Sequence, residues 1–430
     1  MSVSRNLFWL RRDLRLSDQP GLKNAISVSD CLFYHSEYQF HSFFSPLPTS
    51  RYRRDFINQA LAEMEIGLGE LGYKIHKSTL NPISEIPMIC QKENISMVYC
   101  NQGFSWFERW QEAELKKRLE PLGVSLSVVN AERFPWMPES QLNPKSIFTD
   151  YRQKMESLLA TGIAATPESQ ITEQNKAMGD VDSTLSHPTN AIIGGESQAQ
   201  GRLNNYVSKN GGIVNYVETR NGMLGHEYSS MLSPYLAAGC CSAAQVYEAV
   251  KVFESVYGAT KSSYWLVFEL LWRCYFKWIG EMHGYRLYIT PGYNGKRGLV
   301  GRKDKQRLLE WVKGETREPI VNACMRELAH TGFMGNRGRQ IAASYLIHDL
   351  EVEWTWGARY FEHMLIDYDA CSNYGNWAYL AGVGSDPRPS RRFNPTLQQE
   401  KYDPERLYVN HWMGWNAIPL EEEIFERITR

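Results

Sequence analysis

The sequence carries none of the usual marks of a metalloprotein or a secreted one. Its ten histidines include no H-E-x-x-H and no cluster with cysteine, so no metal site is expected. The eight cysteines (Cys31, Cys90, Cys100, Cys240, Cys241, Cys274, Cys324, Cys371) show no C-x-x-C spacing and no paired framework. With no secretory leader, they read as reduced thiols of a cytoplasmic protein. No stretch reaches the roughly 20 apolar residues that span a bilayer. Net charge is −1, which excludes a global field steering the chain to nucleic acid or membrane, so any basic surface must be local. One apparent motif also falls away. Gly67-Leu-Gly-Glu-Leu-Gly72 matches G-x-G-x-x-G, but it ends a helical pattern and precedes a strand, whereas a dinucleotide fingerprint does the reverse.

What is present is material for cores: 430 residues, 43% of them hydrophobic, are enough for two or three domains. Short apolar runs at Leu7 to Leu10, Cys31 to Tyr34, Tyr73 to Ile75, Met97 to Tyr99 and Leu126 to Val129 alternate with helical patterns. In one such pattern Phe56, Ala60, Leu61, Met64, Leu68 and Leu71 share a face. This alternation predicts a doubly wound α/β domain over residues 1–135, with a crevice at the carboxyl ends of its strands. Residues 136–193 read as a linker, because from Ala160 to Ser197 the chain is rich in Ser, Thr, Gln, Pro and Gly. From 194 to 430 strand signals fade and an all-α domain is expected.

Four stretches in the helical part could carry chemistry. Tyr228-Ser-Ser-Met-Leu-Ser-Pro234 places Ser233 as an N-cap before a proline, with the hydroxyls of Ser229 and Ser230 beside a helix start that suits a diphosphate. On Phe268-Glu-Leu-Leu-Trp-Arg-Cys-Tyr-Phe-Lys277, Glu269, Trp272 and Arg273 share one helical surface. Tyr285 to Arg307 sets Arg286, Lys296, Arg297, Arg302, Lys303, Lys305 and Arg307 against a single acid, Asp304, with tyrosines and glycines between; it is either a solvated basic loop or a track for single-stranded nucleic acid. The fourth opens with Thr331-Gly-Phe-Met-Gly-Asn-Arg-Gly-Arg-Gln340 and closes with Asp367-Tyr-Asp-Ala-Cys-Ser-Asn-Tyr-Gly-Asn-Trp377. The apolar run Ile341 to Leu350 between them reads as part of a helical hairpin.

Asn336-Arg-Gly-Arg-Gln340 together with Ser372-Asn-Tyr-Gly-Asn-Trp377 resembles the FAD-binding core of the photolyase/cryptochrome family, in the wording of its DASH branch. The resemblance runs from Leu7 to about Trp412 and begins with Trp9-Leu-Arg-Arg-Asp-Leu-Arg-Leu-Ser-Asp18. It implies an α/β antenna domain and a helical FAD domain. By it, FAD is held by Tyr216, Ser229, Ser230, Leu232, Ser233, Glu269, Arg273, Asn336, Arg339, Asp367, Asp369 and Asn373. Arg339 and Asp367 would pair across the hairpin, and Asn373 would stand beside the flavin's redox-active nitrogen. Glu269, Trp272, Arg337, Gln340 and Tyr379 would meet a damaged base. Trp377, Trp354 and Trp311 would relay electrons, Trp377 nearest the flavin and Trp311 outermost. Glu108 stands where relatives bind a folate antenna, 5,10-methenyltetrahydrofolate, although Trp106, Trp110 and residues 296 to 305 depart from that pattern. Arg388, Arg391, Arg392 and Lys401 are further phosphate candidates.

The resemblance implies light-driven splitting of cyclobutane pyrimidine dimers, preferentially in single-stranded DNA, by a monomer. A blue-light receptor is the competing expectation, since the same core supports both. Asn373, where plant cryptochromes carry an acid, and the lack of a long tail favour repair. Asn336 and Gln340 replace the histidines a (6-4) photolyase needs, and no nicotinamide site suggests a general oxidoreductase.

Overall fold

The structure is a computed structural model and describes residues 5–27, 30–40, 47–132, 134, 143, 145–161, 192–225, 228–295, 301–385 and 391–430. Five parallel strands form one sheet: β1 (Arg5–Leu10), β2 (Cys31–Ser36), β3 (Ile75–Ser78), β4 (Ile95–Asn101) and β5 (Ser125–Val129), in the order β3-β2-β1-β4-β5. The expected Tyr73 to Ile75 strand starts two residues later, at Ile75. The run Leu7 to Leu10 is apolar throughout because both faces of β1 are covered. Leu7 and Trp9 pack with Ile86, Cys90, Leu115 and Leu119 of the helices Pro82–Lys92 and Trp106–Leu119. Phe8 and Leu10 belong to the other core, with Phe33 and with Phe56, Ala60, Leu61, Met64 and Leu68 of the helix Arg51–Glu70. That core runs on without a break into the helical part of the molecule. The glycine-rich decoy is the end of this helix: Gly67 and Gly69 lie in its last turns, and Gly72 beyond it takes φ 85°.

The crevice that the topology creates lies beyond β1 and β4, where the strand order reverses. Here the chain fills it itself. The Arg11 guanidinium binds the Asn101 carbonyl and Glu112, the Arg11 amide donates to Asp13 Oδ1 (2.7 Å), and Asn101 Nδ2 donates to Asp13 Oδ2 (2.7 Å). Asn101 also donates to Gln19, whose own amide reaches the Asp13 carbonyl (2.6 Å). All five side chains are buried.

The stretch read as a linker contains a helix, Phe148–Ala160, whose Tyr151 and Met155 are fully enclosed. Residues 162–191 lie outside the described ones. The expected helical hairpin is instead three helices, Asn336–His348, Trp354–Met364 and Ala370–Leu380. The last two cross closely because Gly357 gives way to the Trp377 ring, and Gly375 likewise gives way to Phe276 of the helix Lys261–His283; a Cβ at either would stand 2.3 or 2.2 Å from those rings. Among the described residues, no helix is long and apolar enough to cross a membrane, and no group of His, Cys, Asp and Glu could hold a metal ion.

Candidate functional site

Two of the sequence motifs meet at helix starts. Asn336 opens one helix, exposed, and Asp369 caps another by accepting the Ser372 amide (2.7 Å). A backbone bond from Ile366 to the Gly332 carbonyl (2.8 Å) ties the two approaches together. Arg339 spans the gap, with one nitrogen donating to both Asp367 oxygens (2.8 and 3.0 Å) and Nε donating to the Met334 carbonyl (2.7 Å). Asp367 is buried, while about a quarter of the Arg339 side chain (26%) is accessible. Burial works to raise the Asp369 carboxyl, but Arg12, Lys277 and the Ser372 amide outweigh it and hold it below the ordinary range. Asn373, buried, donates to the Ala358 carbonyl (2.9 Å), so its orientation is fixed.

The Ser229–Ser230 turn is coiled rather than a helix cap. Ser229 Oγ accepts from the Met231 amide (3.2 Å), Ser230 Oγ from that of Leu232 (3.5 Å), and Arg202 holds both serine carbonyls (2.7 and 2.8 Å). Ser233 is not the N-cap that its proline neighbour suggests. The cap is Leu232, and Ser233 is the first residue of the short helix Ser233–Ala238. A leucine N-cap leaves the starting amides without a side-chain acceptor, which suits an anionic ligand better than a capped start does.

The helix Lys261–His283 sends its three singled-out residues to different partners. Glu269 pairs with Arg220 (2.7 Å), whose guanidinium lies over the Trp265 ring (4.5 Å) and the Tyr216 ring (5.9 Å). Burial pushes the Glu269 carboxyl up and Arg220 draws it back. Trp272 meets Tyr379 edge-on at 5.8 Å and is stacked face to face with Phe148. Arg273, expected at the flavin, has its guanidinium on Glu132 (2.8 Å), which Lys277 also binds. That buried carboxylate, held by two cations, is drawn down to about 2 against the effect of burial. Arg337 donates to Asn221 (2.8 Å) and lies over Tyr402 (4.5 Å), and Arg391 binds the Tyr379 hydroxyl. Among the described residues no hydrogen bond or ion pair places Gln340, which is partly exposed.

The tryptophan order needs correction. Trp311 is fully enclosed rather than outermost; its ring stands 6.2 Å from that of Trp377, and its Nε1 donates to the Ala342 carbonyl (2.9 Å). Trp354, also enclosed, meets Tyr374 (6.4 Å), and its Nε1 has no partner among the described residues. Glu108, the expected antenna contact, already has protein partners. Its carboxylate closes a capping box on Ser105 and pairs with Arg12 (3.1 Å), which also donates to the Tyr368 carbonyl (2.8 Å). Burial would raise Glu108, but Arg12 and Arg11 hold it low. Glu108 is thus a half-buried joint, through Arg12, between the two parts of the chain. Three of the seven cations of the basic stretch are paired: Arg302 with Glu351, Lys305 with Glu426 and Arg307 with Asp304. Arg286 and Lys303 are exposed, while Lys296, Arg297 and Arg388 lie outside the described residues. Arg392 pairs with Asp349, and Lys401 lies over Tyr402 (5.2 Å).

Sequence reasoning missed Arg220, Arg12, Glu132 and Phe148. Only Arg220 left a local signal, standing one helical turn after Tyr216.

Two family models match the chain, "DNA photolyase" over residues 6–170 and "FAD binding domain of DNA photolyase" over residues 265–426. Cryptochrome DASH of Gloeobacter violaceus is 35% identical, with 99% of this chain and 91% of the relative covered; that of Vibrio parahaemolyticus is 35% identical, covering 99% and 96%. The chain belongs to the DASH branch of the photolyase/cryptochrome family. The solved Synechocystis cryptochrome superposes with a TM-score of 0.84 at 32% identity, covering 96% of this chain and 90% of that one. A class III photolyase from Agrobacterium tumefaciens follows at 0.80 and 25%, covering 96% and 87%. As in the family, the first part is a parallel-sheet domain and the second a helical FAD-binding domain, so FAD is the cofactor. The donor set fits that group: serine hydroxyls and uncapped amides for its phosphates, and a guanidinium, a carboxylate and an oriented carboxamide for its polar ring edge.

Proposed function

We propose that this chain splits cyclobutane pyrimidine dimers, preferentially in single-stranded DNA, under blue light. The observation that carries the reading is the juxtaposition of Trp272 and Tyr379, edge-on at 5.8 Å, beside Glu269 on the same helix. Reduced FAD bound there would, on excitation, lend the electron that opens the cyclobutane ring and take it back from the split pyrimidines. The chain supplies position and charge. Ser229, Ser230, Leu232 and Ser233 would receive the diphosphate, with Tyr216 beside them. Arg339, Asp367, Asp369 and Asn373 would hold the flavin edge, and Asn373, being neutral, imposes no charge there.

A pyrimidine pair turned out of the strand would stack on Trp272 and against Tyr379. Base–aromatic stacking of about 1–3 kcal/mol offsets the few kcal/mol that unstacking costs. Glu269, raised by burial, would accept or share a proton with the base edge, and Arg220 would then be free for a neighbouring phosphate. Arg337 and Arg391 would meet the strand's phosphates and Asn336 the cofactor, while Trp377, Trp311 and Trp354 would relay electrons to the flavin only when it is oxidised, since the electron lent to the dimer comes back from the split pyrimidines.

Anaerobic illumination of the reduced protein with a dimer-containing oligothymidine, single-stranded and duplex, tests this directly. Light-dependent return of thymine absorbance on the single strand supports repair, and equal action on duplex removes only the strand preference. A bound, photoreducible flavin with no dimer split would hand the role to light signalling.

A further inference from the structure

Phe148 makes the tightest ring contact at the site, parallel to Trp272 within 9° and with centroids 3.6 Å apart. It opens the helix Phe148–Ala160 and inserts into a notch made by Phe268 (5.1 Å), Trp272 and Tyr275 (5.6 Å), which recur at helical spacing along Lys261–His283. The plate is firmly mounted. Tyr151 and Met155, one and two turns further on, are fully enclosed, and the Tyr151 ring meets Tyr275 (5.4 Å) and Trp278 (5.8 Å). Tyr275 donates its hydroxyl to the Ser146 carbonyl (3.1 Å), fixing the backbone just before Phe148. Arg152 binds Tyr264 (2.6 Å) on the outer side.

A ring so mounted cannot swing away to admit a ligand. We propose that Phe148 is a positioning residue for lesion recognition, a fixed backstop that sets the plane of Trp272 and denies one indole face to the ligand. The inference rests on the repair reading above. An indole clamped by a parallel ring has lost its torsional freedom before any DNA arrives. The base therefore pays less ordering entropy on stacking, and it meets Trp272 only on the surface Phe148 leaves free. Phe276, one turn on, adds a looser contact (5.4 Å, 29°).

Two variants separate this role from mere core filling. Phe148→Leu keeps apolar volume against Phe268 and Tyr275 but removes the flat face; Phe148→Tyr keeps the face. The expected result for Phe148→Leu is about a tenfold loss of preference for the dimer-bearing strand over its undamaged counterpart, the size of one aromatic pair. It should be read as a raised Kd and KM, with the saturated repair rate and FAD content unchanged and the melting temperature lowered by the lost ring pair, and Phe148→Tyr should restore both the preference and the melting temperature. Wild-type discrimination by Phe148→Leu would overturn the inference, as would a loss confined to kcat or accompanied by loss of FAD. If the wild-type protein itself shows no preference for dimer strands, the repair reading fails and this inference falls with it; if wild type discriminates and Phe148→Leu does too, only the backstop fails.

Discussion

Glu327 offers the sharpest test of the electrostatics around the flavin site. It sits on the helix Pro319–Thr331, buried, with Oε2 accepting the Tyr408 hydroxyl at 2.6 Å. Arg339 pulls on it from the neighbouring helix, but that guanidinium is already committed to both oxygens of Asp367. One cation thus serves two carboxyls, and only one of them can ionise cheaply. Burial therefore wins at Glu327 and pushes it up to about 8 from a usual 4.5, against Tyr408 and Arg339. The titratable neighbours Cys324 and Tyr228, both buried, offer no compensating positive charge.

A folded-state value above the unfolded one means stability that is complete below pH 4.5 and is lost as pH rises toward 8. At 1.36 kcal/mol per unit, the loss between pH 5 and 7 is about 3 kcal/mol. Glu327→Gln keeps an acceptor for Tyr408 and removes the titration. Its unfolding free energy relative to wild type should therefore rise by about 3 kcal/mol over that interval and level off above pH 8. Urea melts of both proteins at pH 5, 7 and 9 would measure this, since all other groups cancel in the difference. A gap that stays constant with pH would refute the reasoning.

Three further outcomes follow from the site. Asp367→Asn leaves Arg339 with the Met334 carbonyl alone; because Arg339 is partly solvated, the cost should be about 1–2 kcal/mol, together with a lower FAD-to-protein absorbance ratio. Glu108→Gln should lower the melting temperature without changing the bound chromophore, and 5,10-methenyltetrahydrofolate added to wild type should wash out on dialysis; retention of a stoichiometric folate would contradict the occupied carboxylate. Trp377→Phe should reduce light-driven flavin reduction to background while the flavin stays bound, which blue-light bleaching under anaerobic reductant would record.

The sequence made the periodic parts of this molecule legible, because periodicity is a local property. All five strands are found, β3 slightly displaced, and the helical face Phe56 to Leu68 is the buried one. The glycine-rich decoy resolved correctly because its flanks, not its spacing, decide its geometry. The Arg339–Asp367 pair was legible through the resemblance alone; its two members are 28 positions apart, and no local pattern joins them. Failures came where partners arrive from far away. Nothing near Glu269 announces Arg220, and nothing near Arg273 announces Glu132, 141 positions earlier. The helix bearing Phe148 was lost among polar neighbours, and Trp311 was placed outermost in the relay because neither burial nor ring-to-ring distance can be read from a tryptophan's flanks.

The junction between the two domains has a consequence for how the protein can be made or rearranged. Arg53, from the sheet domain, donates to the carbonyls of Glu362 (2.8 Å) and Leu365 (3.1 Å), and Arg12 to that of Tyr368. The Tyr368 ring lies between the two guanidiniums, at 4.9 and 5.6 Å. The last turn of the helix Trp354–Met364 is therefore finished by side chains synthesised some three hundred residues before it. On the ribosome the sheet domain emerges first and can act as a template on which the segment leading into Asp367 and Asp369 is set. A helical domain expressed by itself, or grafted onto a sheet domain lacking both arginines, would carry that segment with its carbonyls unanswered. The two halves are thus poor units for recombination, and a working chimaera has to inherit Arg12 and Arg53 together with the loop they hold.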